Sequence, residues 1–149
     1  MINLTKYCNL SMDTARLIKL PKIEDERGNL SFIESGKHIP FKIKKVHWIY
    51  DIPGGVERHG HAYKTMEEYI IAISGSYDVV IYENGKEKVF HLNKPNEGIY
   101  IPPKTWRKVQ NFSTNAVCLI ITSDFYNESD YIRDFSDFLE IMKKEHDNR

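Results

Sequence analysis

The stretch Gly55-Val-Glu-Arg-His-Gly-His61-Ala-Tyr63-Lys-Thr-Met-Glu-Glu68-Tyr-Ile-Ile-Ala-Ile-Ser-Gly75 decides how this chain folds. Two β-prone runs, 57–63 and 67–74, lie between glycines and are joined by a short polar turn. Side chains on a strand point alternately to opposite faces. An unbroken strand therefore puts His59, His61 and Tyr63 on one face, with Arg58 and Lys64 on the other face or at its ends. Gly60 sits inside that run and is able to host a bulge that alters the register. Glu67 and Glu68 differ in face, so only one of them points the same way as His61, and parity alone favours Glu67.

Outward from this stretch the pattern repeats. Short β-prone runs at 15–20, 29–34, 42–51, 76–82, 86–92, 98–101, 106–112 and 115–122 are separated by turn residues, the signature of an all-β sandwich or barrel spanning about 15–123. Asn84-Gly85, between Val79-Val-Ile-Tyr82 and Lys88-Val-Phe-His91, predicts a type I′ hairpin because both positions tolerate positive φ. Pro102-Pro103 follows a strand and cannot donate to a ladder, so a bend at the barrel rim is expected there. The tail changes period. From Asp130 to Lys144, Tyr131, Phe135, Phe138, Leu139 and Met142 fall near helical spacing, with Lys143 and Lys144 in the last turn, where they complement the helix dipole. Trp48, Tyr50, Tyr69, Tyr77 and Tyr100 are read as core aromatics, one or two of them free to stack on a ligand. His38, His47, His91 and His146 have no partner spacing and are read as structural.

The chain's 149 residues suit one compact domain, and no repeat or interdomain linker is visible. Lys plus Arg and Asp plus Glu both number 21, so no global field would hold the chain to nucleic acid or to an anionic membrane, and phosphate recognition must be local. The two cysteines, Cys8 and Cys118, suit reduced thiols in the cytoplasm better than a disulfide framework. The first residues lack the basic head and apolar body of a signal peptide, and no run is long enough to span a bilayer, so a soluble cytoplasmic protein is expected.

Gly55, His61, Glu68 and Gly75 fall on the spacing of the first cupin signature, which resembles this stretch in all but one ligand. The cupin count thus favours Glu68 over Glu67. Tyr63 stands where a metal-binding cupin has its second histidine, and in the later stretch Gly98-Ile-Tyr-Ile-Pro-Pro-Lys-Thr-Trp-Arg107 the remaining histidine position is held by Arg107. A transition-metal site of this kind needs converging neutral imidazoles. A guanidinium stays protonated, repels a divalent cation and attracts a phosphate or a developing oxyanion. The expected site is metal-free and built for an anionic or oxygen-rich ligand.

Further segments narrow the resemblance. Asp25-Glu-Arg27-Gly28-Asn-Leu30, Ile39-Pro-Phe-Lys-Ile-Lys-Lys-Val46, Ser74-Gly-Ser-Tyr-Asp-Val79, Gly98-Ile-Tyr-Ile-Pro-Pro103, Ser123-Asp-Phe-Tyr126 and Asp130-Tyr-Ile-Arg-Asp134 together resemble the WxcM-like sugar 3,4-ketoisomerases, metal-independent cupins that act on dTDP-4-oxo-6-deoxyglucose. The family motif Arg-Gly-x-His-Ala-His-Lys is matched by Arg58-His59-Gly60-His61-Ala62-Tyr63-Lys64, with tyrosine for the second histidine. Members carry His or Arg at the position of Arg107, which the resemblance links to product stereochemistry.

The resemblance implies a jelly-roll cupin with a C-terminal helix. It also implies a cofactor-free shift of the keto group from C4 to C3 of a dTDP-linked keto sugar through an enediol, in deoxyamino-sugar biosynthesis. That chemistry requires a base, a proton donor and cations for the enediolate. His61, with an ordinary pKa near neutrality, is the expected base, Tyr63 the donor or shuttle, and His59 a further catalytic candidate. Arg27, Arg58, Lys64, Tyr100 and Arg107 are the expected substrate contacts, the arginines on diphosphate or enediolate. A homodimer is expected, with the N-terminal run through Leu20 covering an open sheet edge. Three alternatives use the same residues: an epimerase of the same class of sugar, a non-catalytic nucleotide-sugar-binding cupin, and a metal cupin in shifted register on His59, His61 and a glutamate.

Overall fold

The computed structural model describes residues 14–149. In chain order the strands are β1 Arg16–Lys19, β2 Lys22–Asp25, β3 Gly28–Ser31, β4 Lys45–Ile49, β5 Arg58–Tyr63, β6 Glu68–Ser74 and β7 Tyr77–Glu83. They continue as β8 Lys86–Leu92, β9 Glu97–Ile101, β10 Trp106–Gln110, β11 Val117–Thr122 and β12 Tyr131–Ile132, and helix α1 spans Phe135–Asp147. One antiparallel sheet has the order β1-β9-β6-β11-β4 and the other β12-β5-β10-β7-β8, while β2 and β3 form a separate hairpin.

The two large sheets face each other across a shared interior. Ile70, Ala72, Ile99, Ile101, Cys118 and Ile120 enter it from the first sheet, and Tyr77, Val79, Ile81, Leu92 and Val109 from the second. Each is at most 2 % exposed, and full burial of an aliphatic side chain stabilises by roughly 1.5–3 kcal/mol. This apolar filling anchors the sandwich and leaves the polar inward positions, Glu68 and Arg107, beside it. The outer face of the first sheet is covered in turn: Tyr69, Ile71, Tyr100 and Ile121 pack beneath Ile39 and Phe41 of the connection after β3.

The Asn84-Gly85 turn has φ of 52° and 76° and joins β7 to β8 with Glu83 opposite Lys86, as its sequence predicts. Several expected boundaries shift. Strand β10 ends at Gln110 rather than 112, because Asn111 takes a positive φ of 56°, and β4 is likewise closed by Asp51 at 53°. The helix begins at Phe135 rather than Asp130. The Asp130 carboxylate instead accepts bonds from Thr65 N, Thr65 Oγ1 and Met66 N, and Tyr131 and Ile132 pair with Tyr63 and Ala62 as an added strand. Asp134 then caps α1, accepting from the amide of Asp137. Phe138 packs on Ala62 and Ile132, with Trp106 and Tyr82 alongside, so the helix backs the strand that carries His61.

Strand β1 lies on β9 of its own chain. The rest of the N-terminal run expected to reach a second subunit, including Cys8, lies outside the described residues.

Candidate active site

The site is set by a bulge. Arg107 of β10 is opposite His61 of β5, but Val109 is opposite Arg58, so three residues of β5 span what two span on β10. The extra residue falls at His59-Gly60. Glycine is needed here for close approach: a Cβ on Gly60 would stand 2.4 Å from Trp106 Nε1. The bulge resets parity. With His61 opposite Arg107 and Arg58 opposite the buried Val109, it is Arg58 and not His59 that shares the face of His61 and Tyr63, although both Arg58 and His59 are exposed, so the expectation of three proton-carrying groups on one wall is corrected at His59.

Glu68 settles the choice between the two glutamates. It is 1 % exposed, and its carboxylate accepts from Arg107 Nε at 2.6 Å and Nη2 at 3.0 Å. Burial alone pushes this carboxyl up, but the charge and hydrogen bonds of Arg107 outweigh it and hold the group below its ordinary value. Arg107, 5 % exposed, is therefore a cation held in a fixed orientation by a buried carboxylate rather than an unpaired one. Glu67 lies on the outer face, where its carboxylate accepts from the Tyr100 hydroxyl at 2.6 Å.

Beside this ion pair stands His61. Its Nε2 is buried with no hydrogen-bond partner among the described residues, and burial followed by the charge of Arg107 lowers its pKa to about 3. The imidazole is neutral at any physiological pH, and its lone pair is available to take a proton. Two phenols flank it: the His61 ring centroid is 4.8 Å from that of Tyr63 and 5.1 Å from that of Tyr131. The Tyr63 hydroxyl donates to that of Tyr131 at 3.3 Å. Burial, reinforced by Glu68, drives the Tyr63 phenol well above its ordinary value, so it serves as a hydrogen-bond donor and not as a group that ionises.

Other expected contacts lie elsewhere in the subunit. Lys64 is exposed on the side facing α1, where it borders a groove with Lys104 and Phe138, because it follows the inward Tyr63 by one residue. Tyr100 lies on the outer face of the first sheet, under the Arg16 guanidinium at 4.8 Å. Arg27 sits at the tip of the β2–β3 hairpin, exposed, with its guanidinium 2.7 Å from Asp25. Among the described residues the ligand set of a metal cupin is not assembled: Glu68 is committed to Arg107, Tyr63 carries no lone-pair nitrogen, and the bulge turns His59 off the face of His61.

Three contributors were not read as site residues. Tyr131 and Arg133 arrive through β12 and the residue after it; Arg133 lies 4.1 Å over the Tyr131 ring and bonds Glu128 at 2.6 and 2.8 Å. Asp130-Tyr-Ile-Arg-Asp134 was the signal for them, masked by a helical spacing that begins in earnest only at Phe135. His47 of β4 is the third. Its strand sends Ile49 into the core and leaves Val46 and Trp48 outside at 45 % and 55 % exposure, so His47 faces inward, against the usual rule of apolar faces.

The arrangement supplies a neutral base, a donor phenol and a balanced buried charge pair in one barrel. Known proteins have this architecture. A curated relative, the TDP-4-oxo-6-deoxy-alpha-D-glucose-3,4-oxoisomerase of Aneurinibacillus thermoaerophilus, is 36% identical over 129 residues, 87% of this chain and 93% of the relative. The crystal structure of QdtA, a sugar 3,4-ketoisomerase from Thermoanaerobacterium thermosaccharolyticum in complex with TDP, matches with a TM-score of 0.85 at 34% identity, covering 88% of this chain and 96% of that one. A histidine-to-asparagine variant of the same enzyme was crystallised with TDP-4-keto-6-deoxyglucose. A 3,4-ketoisomerase from Helicobacter canadensis matches with a TM-score of 0.83 at 38% identity, over 87% and 97% of the two chains. The model of the FdtA family, described as WxcM-like, C-terminal, matches residues 13–143, and on that match and these identities the chain belongs to the FdtA, WxcM-like family.

Proposed function

We propose that this protein is a dTDP-4-oxo-6-deoxyglucose 3,4-ketoisomerase, moving the carbonyl from C4 to C3 of the sugar through an enediol. The observation that carries the reading is the Nε2 of His61, without a hydrogen-bond partner among the described residues, a buried neutral base beside the Glu68–Arg107 pair, in a chain 36% identical to a 3,4-oxoisomerase. The relatives' own substrate, a TDP-linked keto sugar, supports the same ligand here.

His61 removes the proton from C3, which the neighbouring carbonyl acidifies, and returns it at C4. The growing charge on the enediolate oxygen is met by Arg107, whose pairing to Glu68 fixes its orientation, and by the Tyr63 hydroxyl as a donor. Arg58, which has no ion-pair partner among the described residues and shares the inward face, is the cation assigned to the diphosphate. The stereochemistry at C4 follows from the face on which His61 stands, and the sugar is then available to deoxyamino-sugar biosynthesis.

The protein works as a cytoplasmic homodimer in this reading. Strand β4 is an open sheet edge with Val46, Trp48 and Tyr50 exposed on its outer side, and the β2–β3 hairpin exposes Ile23 and Leu30 at 57 % and 56 %. A two-stranded hairpin is marginal alone, and a second subunit would cover both features and give Arg27 a site to reach. None of the described helices is long and apolar enough to cross a membrane, and Cys118 is a buried free thiol, which suits a reducing compartment. Incubation with dTDP-4-oxo-6-deoxyglucose tests the activity: a 13C carbonyl resonance moving from C4 to C3 supports it, and an unaltered sugar refutes it. Light scattering tests the dimer, which a stable monomer at micromolar concentration would contradict.

A further inference from the structure

Tyr131 touches both groups that the isomerisation uses on this wall. Its ring centroid is 5.1 Å from that of His61 and 4.7 Å from that of Tyr63, and its hydroxyl accepts from that of Tyr63. The ring therefore buttresses the base and the donor phenol at once. Its backbone is anchored, since Tyr131 and Ile132 pair with Tyr63 and Ala62 and the amide of Lys64 donates to the Asp130 carbonyl at 2.9 Å. A tyrosine ring still turns about two side-chain bonds, so its plane is fixed by what touches the ring itself.

Two exposed residues complete the ring's surroundings. The Arg133 guanidinium lies 4.1 Å from the Tyr131 centroid, and the Tyr126 ring 5.8 Å from it. One carboxylate holds both. Glu128 accepts from Arg133 Nε at 2.6 Å and Nη2 at 2.8 Å, and from the Tyr126 hydroxyl at 2.5 Å. Arg133 and then Tyr126 bring the Glu128 carboxyl down to about 2, so it is ionised at any working pH. Asn127 steadies the backbone from which it projects, its side chain accepting from Ser129 N at 3.2 Å and Ser129 Oγ at 2.7 Å. A solvent-exposed ion pair adds little to stability. What a bidentate arginine–carboxylate pair does supply is orientation, and here the oriented cation lies on a ring that is one contact from the base.

We propose that Glu128 is a positioning residue of this enzyme: through Arg133 and Tyr126 it holds the Tyr131 ring against His61 and Tyr63, and so keeps the base and the donor phenol in place for the sugar. The inference rests on the isomerase reading. Glu128 acts at one remove from the reacting atoms, so its loss shows in rate and not in binding. Misplacing a reacting group by about 1 Å costs on the order of a hundredfold in rate.

Glu128→Gln keeps the side chain's shape and removes its charge. With dTDP-4-oxo-6-deoxyglucose as substrate, kcat is expected to fall by about tenfold or more while KM and dTDP affinity stay within about threefold. The melting temperature should stay within about 2 °C of the parent's, because the pair is exposed. Arg133→Met carries the same expectations if the glutamine variant does not fold. Tyr131→Leu removes the ring through which Glu128 acts, so adding Glu128→Gln to it should change kcat by less than about twofold, where an independent effect would add in full. Without substrate, the NMR shifts of the His61 ring protons, which sense the Tyr131 ring beside them, should move in Glu128→Gln. A smaller loss of kcat, a larger change in KM or melting temperature, a full effect persisting in Tyr131→Leu, or unmoved His61 shifts overturns the assignment. Failure of the parent to convert the sugar, with the His61 shifts moving as expected, overturns the isomerase reading instead.

Discussion

Replacing Glu68 by glutamine keeps its shape and removes its charge, leaving the Arg107 guanidinium in the barrel without a counter-ion. The two side chains are 1 % and 5 % exposed and joined by bonds of 2.6 and 3.0 Å, so water cannot take over the lost interaction. Breaking such a buried pair from one side costs about 3–5 kcal/mol, because the remaining charge stays desolvated. At roughly 2–4 °C per kcal/mol for a chain of this size, the melting temperature should fall by on the order of 10 °C. Removing both charges is a different perturbation. Glu68→Gln with Arg107→Met replaces the stranded cation by an apolar chain of similar length, and at least half the lost stability should return. Urea unfolding of the parent, the single and the double variant measures this. The reasoning is refuted if Glu68→Gln lies within about 1 kcal/mol of the parent, or if the double variant is no more stable than the single. Both variants should lose turnover, since the single one releases Arg107, the enediolate's cation in this account, from the orientation Glu68 fixes, and the double one removes it.

Acid should weaken the fold through His61. Its pKa is about 3 folded against an unfolded value of about 6.5, so its contribution is full above pH 6.5 and is lost as pH falls from there toward 3. At about 1.4 kcal/mol per unit, moving from pH 7.5 to 5 should cost up to about 2 kcal/mol in urea unfolding, and His61→Asn should remove most of that difference; an equal loss in both proteins counts against it. The same variant should abolish turnover while leaving dTDP affinity within a few-fold by calorimetry, because a base acts in the transition state and not on the nucleotide. Tyr63→Phe should slow turnover only about tenfold, the value of one hydrogen bond, and a loss of several hundredfold would make Tyr63 the proton carrier. Gly60→Ala should destabilise by about 1–3 kcal/mol through its clash with Trp106, and an unchanged melting temperature would mean that the bulge relaxes freely.

Much of this molecule could be read from alternation and turn chemistry. The Asn84-Gly85 hairpin and the inward direction of His61 and Tyr63 follow from φ preferences and the two-residue period. His59 was misplaced because a bulge is invisible to parity, although Gly60 marked where it could occur. His47 was missed for a different reason. Strand β4 turns Val46 and Trp48 outward, so hydrophobicity pointed to the wrong face. Lys64 and Tyr100 lie one residue out of step with the inward positions of their strands, and Arg27 sits at the tip of the separate β2–β3 hairpin, placements that residue type alone does not reveal. The Glu68–Arg107 pair joins residues 39 apart, and only the folding together of β6 and β10 could reveal that the arginine is held by a buried carboxylate.

Proton movement on the sugar is the most direct measure of the central claim. With dTDP-4-oxo-6-deoxyglucose in deuterated water, this account predicts that the carbonyl carbon shifts from C4 to C3 and that deuterium appears on the ring carbon beside it, both lost in His61→Asn. A sugar recovered with its carbonyl at C4 and no deuterium would contradict it.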